Sequence, residues 1–157
     1  MKKLTISIGI SAYNEQANIA NVITSFLYQK ETNFVLKEII VVSDGSSDKT
    51  VELVEKFGDD RLHLVAHSDR AGKAKRLNEI ISLFSGDILI LTDADVLPDD
   101  QFVFEKIVKE FKYIFDQLAK EIDTKFFKSL FMSLSDLLYE MFAKQITTNI
   151  DNNSLSL

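Results

Sequence analysis

Cysteine and tryptophan are absent from this 157-residue chain, proline occurs once, at Pro98, and arginine stands only at positions 61, 70 and 76. Without cysteine there are no disulfides, thiolate metal sites or cysteine nucleophile, a composition that suits a reducing cytoplasm without requiring one. Few arginines in a chain of net charge −6 and pI near 4.9 argue against a nucleic-acid partner. Neutralising phosphates along a duplex takes clustered Lys and Arg. Long apolar runs are missing as well. "SLFMSLS", between Lys128 and Asp136, is only seven residues, far short of the roughly 18 that a membrane span needs. The opening "MKKLTISIGISAYNE" meets polar residues too soon to form a signal-peptide core. A soluble cytoplasmic chain is expected, with the membrane periphery as the other open location. No G-x-G-x-x-G follows the first apolar stretch, and Gly72-Lys73 lacks the earlier glycine and the Ser or Thr of a P-loop. Both gaps weigh against a dehydrogenase and a P-loop ATPase.

What is present is an alternation of periods. "TISIGI" (5–10), "EIIVVS" (38–43), "LHLV" (62–65) and residues 87–92 read as strands. Between them lie three helical patterns. From Asn14 onward, Ile19, Val22, Ile23, Phe26 and Leu27 share one face; Val51, Val54 and Phe57 follow cap candidates Ser47 and Asp48 and end at Gly58; Ala74, Leu77, Ile81 and Phe84 end at Gly86. The order βαβαβαβ predicts an α/β fold with a mostly parallel, Rossmann-like sheet and alternating helices. Past Pro98 the character changes: all five glycines lie behind, and eight of the twelve phenylalanines lie ahead. Ile107 to Ile122 and Phe127 to Phe142 keep a helical period, which predicts two C-terminal amphipathic helices broken near Asp123 and Thr124. The expected organisation is an α/β region over 1–100, a helical extension over 101–148 and a flexible tail over 149–157.

Three strands end in polar residues, at the rim where open α/β sheets bind ligands. They are Asn14 and Glu15 after the first, Asp44 after the second, and Asp93 and Asp95 after the fourth. If the chain stays extended through Asp93, Ala94 and Asp95, both carboxylates lie on one side, roughly 6 to 7 Å apart by strand rise. Magnesium and manganese favour carboxylates shared with substrate phosphates, so the pair suggests a metal–phosphate site; solvated turn acids or helix caps ahead of Pro98 are the bland alternative. Asn14 reads equally as a helix cap, and Asp44, before a glycine, as a turn former. "SDRAGKAKRLN" (68–78) places Arg70, Gly72 and Lys73 at a helix start, where backbone N–H groups and the dipole favour an anion such as a diphosphate. Solvated basic residues are the alternative there. His63 and His67 lack metal-ligand spacing and read as structural.

The blocks "ISIGISAYNE", "EIIVVSDGSSDKT", "RAGKAKRLN" and "GDILILTDADVLPD" stand in the order and spacing of family 2 glycosyltransferases, and the chain resembles the donor half of that family over residues 4 to about 100. The resemblance implies the GT-A fold, a nucleotide-diphospho-sugar donor (a UDP-sugar), a bound Mg²⁺ or Mn²⁺, and inverting transfer to a saccharide or lipid-linked acceptor. It implies that Ala12, Tyr13, Asn14, Glu15 and Asp44 hold base and ribose. Arg70, Gly72 and Lys73 would lie near base and diphosphate, and Asp93, Ala94 and Asp95 at ribose and metal, with Asp93 and Asp95 as the metal ligands. Ser11 replaces the proline usual in the family. No tryptophan occurs and no arginine lies beyond 76, so the Q-x-x-R-W of processive members is absent and no acceptor-side base is identified.

Two other readings compete. "ILILTDADVL" also fits the D-x-D strand of haloacid-dehalogenase-like phosphatases, where the first aspartate is the nucleophile. That family places the motif on an early strand, unlike this chain. The Phe-rich helices could instead make the chain a non-catalytic, truncated interaction module that pairs with a like copy or a partner subunit.

Overall fold

The computed structural model describes residues 3–121. Its elements are β1 (Leu4–Ala12), α1 (Ile19–Leu27), β2 (Phe34–Asp44), α2 (Thr50–Glu55), β3 (Leu62–His67), α3 (Lys73–Leu83), β4 (Ile88–Asp93) and α4 (Val103–Glu121). The four strands form one sheet in the order β3-β2-β1-β4, with every pairing parallel. This is the α/β architecture expected from the alternating periods. The second C-terminal helix of the sequence reading lies outside the described residues.

Because β1 and β2 are the inner strands, they carry the core. Ile6, Ile8, Ile10, Ile39, Val41 and Val42 are fully buried, as near-continuous apolar runs in a parallel sheet should be. On one face Val22, Ile23 and Phe26 of α1 pack with Val54 of α2 and with Phe104 and Val108 of α4. The Phe104 ring stacks on Phe26 at 5.5 Å and meets Phe34 edge-on at 6.1 Å. A compact unit therefore runs from Met1 to Phe111 and includes the first half of α4. A second unit begins at Lys112, and its described part is the remainder of that helix. On the other face α3 is the one helix over Ile40 and Val42 among the described residues, with Ile80 fully buried.

Several boundaries differ from the sequence expectation. Helix α1 begins at Ile19 rather than near Asn14, because Asn14 adopts a left-handed conformation (φ 55°) that interrupts the chain, and the Glu15 carbonyl accepts the amides of Asn18 and Ile19. Helix α2 has Lys49 at its N-cap and stops before Phe57; Asp48 accepts the Thr50 amide at 2.9 Å, and Ser47 makes no cap. The inner face of α3 is Arg76 and Ile80, with Leu77 and Phe84 beside them, while Ala74 and Ile81 are exposed. An apolar-only reading of the helix skipped the arginine. Strand β4 ends at Asp93, and Ala94–Asp95 is a turn in which the Val96 amide reaches back to the Asp93 carbonyl at 3.4 Å. The extended geometry assumed for the two aspartates does not occur.

Candidate functional site

Parallel strands all point the same way, so the carboxyl ends of β1, β2 and β4 open onto one side of the sheet. A cavity of about 320 Å³ lies there. Its walls are Ser11 and Ala12 at the end of β1 with Tyr13 and Glu15 beyond it, Asp44 at the end of β2, Arg70, Gly72 and Lys73 before and at the start of α3, and Asp93 at the end of β4 with Ala94 and Asp95 beyond it. The structure thus brings together every site residue expected from the sequence except Asn14, and adds Ser11. Asn14 serves the loop instead: its side-chain carbonyl accepts the Ser47 amide at 2.8 Å and its own amide donates to the Ser46 hydroxyl at 3.1 Å. It ties the turn after β1 to the turn after β2.

The two wall acids at β4 differ. Asp93 accepts a hydrogen bond from Lys73 Nζ, and both side chains stay more than half exposed. Asp95 is exposed and its carboxylate has no hydrogen-bond or ion-pair partner among the described residues. Among those residues no three His, Cys, Asp or Glu side chains could hold a metal by themselves. An oxygen-only pair of this kind suits a hard cation that takes its remaining ligands from water or from a phosphate-bearing ligand. The Arg70 guanidinium lies 4.0 Å over the Tyr13 ring, a cation–π stack between two residues that line the cavity.

Asp44 is nearly enclosed, 5% exposed, and its carboxylate is heavily bonded. The Ala71 amide donates to Oδ1 at 2.7 Å, the Gly72 amide to Oδ2 at 2.9 Å, and Arg76 Nε to Oδ1 at 2.7 Å. Burial alone would push this carboxyl up. The Ala71 amide, the Arg76 guanidinium and the Gly72 amide outweigh that and hold it below the ordinary aspartate value. The amides of Ala71 and Gly72, just ahead of α3, are therefore already bonded to an internal anion. The cationic side chains of Arg70 and Lys73 are left to face a ligand. Besides Ser11, sequence reasoning missed Arg76; the available signal was a long cationic side chain four residues past Gly72, on the helix face that turns toward the strand ends.

The sequence and the fold have counterparts among known proteins. Poly-beta-1,6-N-acetyl-D-glucosamine synthase of Staphylococcus epidermidis is 33% identical over 108 residues, which cover 68% of this chain and 25% of that protein. A mannosyltransferase from Pyrobaculum calidifontis, solved in complex with GDP-Man and Mn²⁺, superposes with a TM-score of 0.60 and 28% identity over 69% of this chain and 32% of its own. Glucosyl-3-phosphoglycerate synthase of Mycobacterium tuberculosis, solved with Mn²⁺, UDP and phosphoglyceric acid, superposes with a TM-score of 0.52 and 28% identity over 63% of this chain and 36% of its own. The chain spans about a quarter of the length of the curated relatives it matches. The model of the family described as "Glycosyl transferase family 2" matches from Ser7, early in β1, to residue 154, and with nearly the whole sequence inside that match the chain belongs to glycosyl transferase family 2.

Proposed function

We propose that the cavity at the ends of β1, β2 and β4 binds the nucleoside diphosphate of a sugar donor, a UDP-sugar, together with Mg²⁺ or Mn²⁺. The observation that carries this reading is the meeting of two exposed carboxylates, Asp93 and Asp95, and two cations, Arg70 and Lys73, around one cavity of about 320 Å³, a volume suited to a small ligand. Asp95 and Asp93 would hold the metal, whose chemistry there is to offset the charge that builds on the leaving nucleotide as the sugar–phosphate bond breaks. Lys73, now on Asp93, lies where it can turn to a phosphate oxygen. The Tyr13–Arg70 stack offers a flat face to base and ribose, beside Ala12 and Glu15. Solved neighbours in complex with Mn²⁺ and with UDP or GDP-Man support the ligand class. Transfer would invert the anomeric carbon and go to a saccharide or lipid-linked acceptor, with the base supplied from beyond residue 100 or from a partner subunit.

Calorimetric titration of the chain with UDP and with GDP, each with Mn²⁺ and again with EDTA, tests the reading. Metal-dependent UDP binding is expected. Binding of GDP in place of UDP would change the nucleotide but keep the site, and no binding of either would overturn the proposal.

A further inference from the structure

Arg76 lies in the first turns of α3 and is 2% exposed, the most deeply buried charged side chain among the described residues. It does not line the cavity. Its Nε bonds Asp44 at 2.7 Å, its Nη2 donates to the Asp69 carbonyl at 2.9 Å, and its Nη1 lies 3.6 Å from Glu79, whose carboxylate is bonded to His67 at 2.9 Å. Asp44 in turn holds the amides of Ala71 and Gly72. One guanidinium therefore secures the backbone on both sides of Arg70: residue 69 directly, and residues 71 and 72 through Asp44.

A buried ion pair seldom stabilises more than apolar packing of the same volume, because desolvation of both charges offsets most of the attraction. Ile80, one turn further along the same inner face, shows the apolar solution that this helix uses elsewhere. What the arginine supplies and a hydrophobe would not is a fork that bonds the end of β2 and the loop before α3 at once. We propose that Arg76 is a positioning residue for nucleotide recognition. It presets the 69–72 loop so that Arg70 stays stacked on Tyr13 before a ligand arrives, which lowers the ordering cost of binding. The ligand side of this inference rests on the donor-site reading, whereas the loop-holding side stands apart from it.

The test compares Arg76→Met and Arg76→Lys with the parent chain by three readouts: amide hydrogen exchange at Ala71 and Gly72, UDP affinity with Mn²⁺, and melting temperature. In Arg76→Met, exchange at both amides should accelerate about tenfold or more, and UDP should bind roughly tenfold more weakly, the scale of one lost charge-assisted contact. Amides in the middle of β1 should keep their protection. Arg76→Lys should restore part of both effects, since an ammonium can still pair with Asp44 but cannot also reach the Asp69 carbonyl. If Arg76→Met fails to fold, Arg76→Gln, whose amide can still donate to Asp44 and so keeps that carboxylate partnered, is read in the same way. A folded variant with parental exchange at Ala71 and Gly72, or with parental UDP affinity, would overturn the proposal. If the parent chain binds no nucleotide, the donor reading fails, and the exchange rates alone decide whether Arg76 holds the loop.

Discussion

At the scale of single residues, the aspartates around the cavity do different work. Asp44 is walled in and satisfied by three donors, so its carboxylate holds the protein together. Asp95 is exposed and has no partner among the described residues, so no contact among them depends on its charge. Asp95→Asn is therefore expected to leave stability within about 0.5 kcal/mol of the parent chain, as for an ordinary surface substitution. Under the proposed function it should remove the Mn²⁺ dependence of UDP binding. Calorimetry of the variant with Mn²⁺ and with EDTA checks this, and a UDP affinity still raised by metal would take Asp95 out of the site. The two acids were legible in the sequence because an apolar strand ran straight into them. Their division of labour was not, since burial of Asp44 depends on Arg76, 32 residues away.

At the scale of elements, the turns after the strands decide how the walls stand. Gly45 follows Asp44 with φ +70°, and a Cβ there would come within 2.8 Å of the Asp69 carbonyl carbon, which is backbone and cannot step aside cheaply. Gly58 also has a positive φ, +60°, but a Cβ there would meet nothing within 4 Å. Gly58→Ala should thus cost about 1 kcal/mol, the strain of the left-handed conformation alone. Gly45→Ala should cost more, roughly 2 to 3 kcal/mol, because the clash adds to that strain. Denaturant unfolding of the two variants side by side checks the order, and equal losses would mean that the 45–69 approach is loose. A glycine after a strand, such as Gly45, or after a helix, such as Gly58, is visible in the sequence as a turn. Which of the two lies against another loop depends on how β2 and the loop before α3 come together.

At the scale of the whole molecule, acidic groups set the response to pH. Hydrogen bonds from the Arg61 side chain and amide hold the Asp59 carboxyl down to about 2. Burial pushes Glu38 up, but the hydroxyl of Ser7 and the amide and hydroxyl of Ser85 outweigh it, so that carboxyl too lies below its ordinary value, as does Asp44. A carboxyl whose pKa is lower folded than unfolded binds more protons in the unfolded chain at acid pH. Its contribution is fully present above the unfolded value and is lost as pH falls through the folded one. Stability should therefore be flat from neutrality to about pH 5 and decline steadily toward pH 2. Thermal melts across that range check the slope. Asp59→Asn should make the decline shallower below about pH 4, and an unchanged slope would show that this pair contributes nothing.

The alternating hydrophobic periods determined by themselves that the chain is a parallel α/β protein and that its acids stand at strand ends. Runs such as Ile6 to Ile10 and Ile39 to Val42 can be buried on both faces only in a sheet covered by helices. Local pattern also marked Glu15, Asp44, Arg70, Gly72, Lys73, Asp93 and Asp95 among the residues that line the cavity, because parallel strands bring their carboxyl ends to one side whatever their order; Ala12, Tyr13 and Ala94 came from the family resemblance, and Ser11 from neither. Only the tertiary structure decided which polar groups pair with each other and which face outward. Asn14 joined a neighbouring loop rather than the cavity, Asp93 met Lys73, and Arg76 went inward to Asp44. Those choices depend on distances between segments far apart in the chain, where a cation meets a carboxylate before it meets water, and no local periodicity encodes that meeting.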